Sequence, residues 1–372
     1  VPWQIKLSFD SYFSIERFMS SLYNPVMKIW LEDIEKELYR WLPLKIERAW
    51  VDLMGVDSGQ FRDYQVFESI CEPARDLVYR GGKRWRPLLM LLTARMLGGH
   101  EAFTRALQLV SVVELPHNGS LIIDDIEDNS DMRRGKPATH ITHGMDISIN
   151  AGNLLYFLPT LAIDTADVSD EIRLRLYRIY ARYMRRVHLG QGMDITWHHT
   201  IDIIPDISSY ETMCRLKTGC LAAMGSELGA AVATDDEEII RKAGSIAETI
   251  GLGFQILDDV INLEKGNPGK RRGDDIVENK KSLPIILYAT LHPEKLEHLF
   301  SVFRQAQAEG YVASEARILE LIEDVEKSGA LSQARAYAHD LFSDVKTRIE
   351  QGYGTSSDRE FLLAMVNSFT EA

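Results

Sequence analysis

Cysteine is scarce, with three in 372 residues: Cys71, Cys214 and Cys220. An odd number without metal-ligand spacing argues against a disulfide framework, so a reducing, cytoplasmic compartment is the expectation. Long hydrophobic runs are absent. None approaches the ~20 apolar residues of a membrane span, so no transmembrane segment is expected. The start, Val1-Pro2-Trp3-Gln4-Ile5-Lys6, lacks the layout of a signal peptide, and without a leading Met it reads as processed or trimmed. Positive charge is also short: acidic side chains exceed basic ones by 55 to 42, and a net charge of -13 argues against a nucleic-acid partner. Two-residue alternation bounded by turn signals is rare, which leaves little room for sheet. No Ser/His/Asp order, paired-cysteine site or dinucleotide fingerprint occurs, so those chemistries drop out.

What remains is helix. Nearly every segment repeats with a 3.6-residue period, which predicts an all-α protein of roughly a dozen helices. Breakers fall at Gly98-Gly99, Asp164 to Asp170, Ile204-Pro205, Thr234 to Asp236, Gly266 to Gly273, His292-Pro293 and Gly354, none of them a convincing domain linker. Residues 1–60 hold Trp3, Trp30, Trp41 and Trp50 with Phe9, Tyr12, Phe13, Phe18, Tyr23 and Tyr39, and read as an aromatic-rich helical extension packed on a main domain of 61–372. In the long helix expected from Glu171 to Trp197, Tyr177, Ala181, Met184, His188, Gln191 and Ile195 form the expected buried stripe. Arg173, Arg175, Arg178, Arg182, Arg185 and Arg186 form a salt-bridged surface.

Two acidic clusters stand out, Asp124-Asp125-Ile126-Glu127-Asp128 and Asp258-Asp259-Val260-Ile261-Asn262, each at the end of an apolar helical run. On a helix, positions i, i+1 and i+4 aim at one region. Massed carboxylates beside a core need cations, and carboxylate oxygens suit Mg²⁺. A calcium EF-hand fails on spacing, because Asp128 is followed by Asn129, Ser130, Asp131 and Met132. Basic residues are correspondingly local: Gly81-Gly82-Lys83-Arg84-Trp85-Arg86-Pro87, Arg133-Arg134-Gly135-Lys136, Lys217-Thr218, Lys270-Arg271-Arg272 and Lys280-Lys281. Together they suggest two anion sites, one bridged by metal between the clusters and one held directly by Lys and Arg. A reaction of two phosphorylated substrates fits that inventory.

With these motifs the chain resembles the trans-prenyl diphosphate synthases, which join isopentenyl diphosphate to an allylic diphosphate. The resemblance runs from Gly81 to about Pro284. It rests on Gly82-Lys83-x-x-Arg86, His117-Asn118, the first Asp motif, Arg133-Arg134-Gly135, Gly190-Gln191-x-x-Asp194, Lys217-Thr218 and Phe254-Gln255-x-x-Asp258-Asp259. It implies a single-domain helical bundle around a deep apolar cavity, a homodimer, and three Mg²⁺ ions per site. Asp124, Asp128 and Asp258 would be the main metal ligands, with Asp125 and Asp259 supporting. Arg133, Lys217, Thr218, Gln255, Lys280 and either Lys270 or Arg271 would hold the allylic diphosphate; Lys83, Arg86, His117 and Arg134 would hold isopentenyl diphosphate. Asn262 stands where the family usually has a third aspartate, and eukaryotic-type geranylgeranyl diphosphate synthases resemble this chain there.

Product length is a question of the cavity floor. One helical turn rises about 5.4 Å, roughly an isoprene unit, so Gly119 and Ser120, a turn upstream of Asp124, bear on where the tail stops. Short-chain farnesyl-type enzymes carry bulky aromatics there; their absence points beyond fifteen carbons. The resemblance to fungal and animal geranylgeranyl diphosphate synthases places the floor at Tyr156, Phe157 and His188. A longer-chain synthase is the alternative. A class I terpene cyclase has no need of a second diphosphate site, and a silent regulatory subunit has no need of intact aspartates.

Overall fold

Met27, Trp30, Ile34, Leu38 and Trp41 recur at three- and four-residue steps, and all are buried along helix α1 (Pro25–Trp41). Trp30 packs on Phe103 with ring centroids 4.8 Å apart, and Trp50 of α2 (Arg48–Leu53) donates its indole N–H to the Trp41 carbonyl at 2.9 Å. The computed structural model describes residues 25–57, 59, 64–266 and 271–370. Trp3, Phe9, Tyr12, Phe13, Phe18, Tyr23 and Lys270 lie outside the described residues.

The chain continues through α3 (Gln65–Tyr79), α4 (Trp85–Leu107), α5 (Ser111–Glu127), strands β1 (Met132–Arg133) and β2 (Lys136–Pro137), α6 (Thr139–His143), α7 (Met145–Phe157), α8 (Thr160–Thr165) and α9 (Asp170–His199). After these come α10 (Ile207–Cys214), a π-helical turn (Arg215–Gly219), α11 (Cys220–Ala231), α12 (Glu237–Glu264), α13 (Asp274–Val277) and α14 (Leu283–Leu291). The last are α15 (Leu296–Lys327), α16 (Ala330–Gly352) and α17 (Ser357–Thr370). The all-α expectation holds, with one antiparallel two-residue hairpin as the exception among the described residues. The helices outnumber the expected dozen because α2, α6, α8 and α13 are too short to produce a period. Every breaker read from the sequence falls between helices or, at Gly99, at a kink inside α4.

The core is built on α11, in which every residue from Cys220 to Ala231 is buried. A helix apolar on all sides belongs inside, and small residues let its neighbours close on it. Gly229 lies against the Met90 carbonyl of α4, while Gly251 of α12 packs on the Gly219 backbone, where an added Cβ would stand 2.5 Å from Cα. Side chains cap the long helices that flank it: Ser169 accepts from Ile172 N before α9, and Asp236 from Glu238 N before α12.

One expectation about α9 is corrected. Its buried stripe is Leu176, Tyr180, Tyr183, Val187, Gly190, Asp194 and His198, about one position round from the expected Tyr177, Ala181, Met184, His188, Gln191 and Ile195. The true stripe contains tyrosines, an aspartate and a histidine, whose polarity disguises it. Their polar ends are satisfied inside: Tyr183 donates to Glu227 at 2.8 Å, and Tyr180 donates to the Tyr156 carbonyl. Arg175 pairs with Asp235 and Arg186 with Glu248 as expected of a salt-bridged surface, whereas Arg182 reaches inward to the buried Glu227.

Candidate active site

Helix α5 carries His117, Gly119, Ser120 and the first aspartate cluster. Asp124 and Asp128, four residues apart, share a face. Asp125 is fully buried, where Arg133 of β1 donates Nε to it at 2.8 Å and Nη2 as well. On α9, Gly190 lets the backbone of the π-helical turn come close: a Cβ there would stand 2.6 Å from the Leu216 carbonyl carbon. That approach sets Gln191 and Asp194 beside Asp124 and Lys217. Gln191 donates to Asp124 at 2.9 Å and to Glu127 at 2.7 Å. Lys217 Nζ lies 3.0 Å from Asp124 and 2.5 Å from Asp194. His198, one turn beyond Asp194, is 3.0 Å from it and 3.4 Å from Asp128, while Lys280 reaches Asp128 at 3.2 Å.

The result is a chain of alternating charge, Asp124, Lys217, Asp194, His198, Asp128, Lys280. Burial would raise the aspartate pKa values, but Lys217 and Lys280 outweigh it and hold Asp124 well below the carboxylate range, while at Asp128 Lys280 outweighs it and lowers the pKa. Burial works against charge at His198 too, yet Asp128 and Asp194 push it up to about 9. Sequence reading missed His198 as a partner of the site; its i+4 spacing from Asp194 was the available signal.

The second cluster lies on α12. Asp258 is partly exposed, whereas Asp259 is buried and accepts from Tyr210 Oη at 2.6 Å, Gln255 Nε2 at 2.9 Å and Leu283 N at 3.3 Å. Burial, with Asp275 adding, pushes Asp259 up to about 7. Thr218 donates to Gln255 at 2.8 Å, joining the π-helical turn to this cluster. Asn262 is fully buried, and its side-chain amide has no hydrogen-bond partner among the described residues. Asp125 and Asp259 are thus each held by donors of their own. Among the described residues no three acidic, histidine or cysteine side chains are gathered tightly enough to hold a metal. The donor set itself, carboxylate oxygens from two helices, suits a hard divalent cation.

The hairpin separates two consecutive arginines. Arg134 and Gly135 both have positive φ, 52° and 73°, as the tightest hairpin turns require. Arg133 therefore serves the aspartates, while Arg134 turns toward Gly82, where a Cβ would meet its Nη2 at 3.4 Å. Arg134 donates to the Leu77 carbonyl at 2.9 Å, Arg86 Nη1 lies 3.3 Å from His117 Nε2, and Lys83 sits 5.5 Å from the centre of the Phe254 ring. No carboxylate forms an ion pair with Lys83, Arg86 or Arg134 among the described residues. Burial pushes Arg86 down to about 10, burial and then Arg84 push Arg134 down to about 9, and burial with Arg86 and Arg134 drives His117 well below its ordinary value. Lys217, Lys280 and Arg133 are driven the opposite way, because their carboxylate partners outweigh burial.

At the expected floor, Gly119 packs on α7: a Cβ there would stand 2.7 Å from the Gly152 carbonyl oxygen and 3.1 Å from Tyr156 Cε1. The His188 ring meets Tyr156 edge-on at 5.3 Å. Ser120 turns its hydroxyl back to the His117 carbonyl at 2.8 Å. Phe157 is not brought to this group and is 70% exposed, since consecutive helical residues diverge by about 100°.

An acidic cluster laced with lysines, a second acidic cluster joined to the same π-helical turn, and a basic group without carboxylate ion pairs among the described residues define a class. The chain belongs to the polyprenyl synthetase family, whose model matches residues 67–322. It is a trans-prenyltransferase, and its family is Mg²⁺-dependent in general. A geranylfarnesyl diphosphate synthase of Aeropyrum pernix is 36% identical over 282 residues, 72% of this chain and 85% of that one. A geranylgeranyl pyrophosphate synthase of Eremothecium gossypii is 31% identical over 296 residues, 77% and 90% of the two chains. Among solved structures, a geranylgeranyl pyrophosphate synthetase from Pyrococcus horikoshii superposes with a TM-score of 0.79 at 25% identity, covering 96% of this chain and 99% of that one.

Proposed function

We propose that this chain adds isopentenyl diphosphate to a shorter allylic diphosphate and makes mainly geranylgeranyl diphosphate. The observation that carries the reading is the opposite electrostatics of two neighbouring cation sets. Lys217, Lys280 and Arg133 are paired with aspartates, whereas Arg86 is buried, Lys83 and Arg134 are half-buried, and none of these three forms an ion pair with a carboxylate among the described residues. Buried unpaired charge is costly, so the second set calls for an anion from outside.

Asp124, Asp128 and Asp258 would hold Mg²⁺, three ions in all, which supplies charge compensation as the allylic C–O bond breaks. Asp125 and Asp259 support them. Arg133, Lys217, Thr218, Gln255, Lys280 and either Lys270 or Arg271 hold the allylic diphosphate, which gains negative charge in the transition state, where fixed cations act most strongly. Lys83, Arg86, His117 and Arg134 hold isopentenyl diphosphate with its double bond toward the allylic carbon. The new C–C bond forms at that carbon, and the departing diphosphate takes the proton that is lost. The apolar helices around the tail keep water from the cation. A cytoplasmic homodimer completes the reading.

A twenty-five-carbon product is the second reading. It is favoured by the exposure of Phe157, which leaves Tyr156 and His188 to close the floor, and by the name of the Aeropyrum relative. Incubating the enzyme with Mg²⁺, labelled isopentenyl diphosphate and farnesyl diphosphate is expected to give mainly the twenty-carbon diphosphate. A product of thirty carbons or more overturns the length assignment; absence of any elongation overturns the activity.

A further inference from the structure

Arg84 stands between Lys83 and Arg86, yet its side chain is committed elsewhere. It is 3% exposed, with Nε donating to Glu35 Oε1 at 2.8 Å and Nη2 to Glu35 Oε2 at 3.4 Å. Nη1 donates to Glu114 Oε1 at 2.6 Å, and Nη2 also to the Val78 carbonyl at 2.7 Å. Two carboxylates and a carbonyl engage its charge and four of its five N–H donors, so its fork is committed to the protein rather than to a ligand. Its backbone is left-handed, with φ 48°, next to Gly81 at 83° and Gly82 at 156°. A non-glycine residue holds that conformation only when its surroundings impose it. This short loop has little regular hydrogen bonding of its own, and the Arg84 side chain is the peg that fixes it. One of its two carboxylate anchors, Glu35, lies on α1, outside the family-matched segment.

We infer that Glu35 and Arg84 are positioning residues for isopentenyl diphosphate: α1 clamps the Gly81–Arg86 loop through Glu35, and the clamp aims Lys83 and Arg86. This rests on the reading that Lys83 and Arg86 hold that substrate. Glu114 also accepts from Asn118 at 3.1 Å and is buried, so it joins the clamp to the His117 segment of α5. The Glu35 side chain is one-third exposed, so its replacement tests the clamp without emptying the core.

Steady-state kinetics with each substrate varied in turn supply the test. Glu35→Ala is expected to raise KM for isopentenyl diphosphate about tenfold, the scale of a lost charged hydrogen bond. The allylic KM and kcat should stay within about twofold, the scale of an interaction left intact. Glu35→Asp should recover part of the loss, and Lys36→Ala, which breaks a surface pair on the same helix, should change neither KM. Lys83→Ala separates the two levels. If it leaves the isopentenyl KM unchanged, the substrate assignment fails; if it raises that KM while Glu35→Ala does not, the clamp alone fails. Equal rises in both KM values for Glu35→Ala, accompanied by a lower Tm, would make α1 a merely structural support and overturn the inference.

Discussion

Tyr156 and Phe157 are adjacent on α7, and only one of them joins the group around Gly119. Tyr156 is 9% exposed with the His188 ring against it, while Phe157 is 70% exposed. Tyr156→Ala is therefore expected to lengthen the main product by at least one isoprene unit, with His188→Ala acting in the same direction, and Phe157→Ala to leave the distribution unchanged. Chromatography of the dephosphorylated prenols checks this; an unaltered distribution in Tyr156→Ala removes it from the floor. At this scale the proposed roles were legible as motifs because chemistry restricts the residue types they would need: carboxylates for a metal, lysine and arginine for diphosphate. What the sequence concealed were the partners. Nothing local says that Tyr210 donates to Asp259 or that His198 reaches Asp128, since these contacts join segments distant in the chain; only the i+4 spacing of Asp194 and His198 was visible.

Helix α9 contains two glycines two residues apart with opposite surroundings. An added Cβ on Gly190 would run into the backbone of Leu216 and Lys217, whereas one on Gly192 would meet nothing within 4 Å. Gly190→Ala should then push α9 off the π-helical turn, costing about 1–3 kcal/mol as overpacking does. It should also lower kcat, because Lys217 loses its register with Asp124. Gly192→Ala should gain up to about 1 kcal/mol from helix propensity alone. Chemical denaturation of both variants provides the comparison, and equal effects would show that the close approach does not set the geometry. Helices and breakers were readable from period and from Gly and Pro. The orientation of α9 was not, because its buried face is polar and its contact with the turn depends on the missing side chain of Gly190 rather than on any apolar residue. The π-helical turn itself left no trace in the pattern, because Arg215, Leu216 and Lys217 are ordinary helix formers and the helical run continues through Thr218 and Gly219.

For the molecule as a whole, the net charge of -13 hides two local regimes, and they respond differently to removal of metal. On the proposed reading, the group of Lys83, Arg86, His117 and Arg134 is positive in its own right and should take a diphosphate without help. The jaws of Asp124, Asp128 and Asp258 repel one unless cations intervene. A ligand bound only by the folded state stabilises it by about 2.7 kcal/mol at a hundred times its Kd, enough to raise Tm by a few degrees. Isopentenyl diphosphate should therefore raise Tm in EDTA as well as in Mg²⁺. An unreactive allylic thiolodiphosphate should raise it appreciably only when Mg²⁺ is present. Lys83→Ala should abolish the first effect and spare the second, while Asp128→Asn should do the reverse. If EDTA abolishes the response to isopentenyl diphosphate, the two anion sites are not independent, and the division of labour argued from their opposite pKa shifts is wrong.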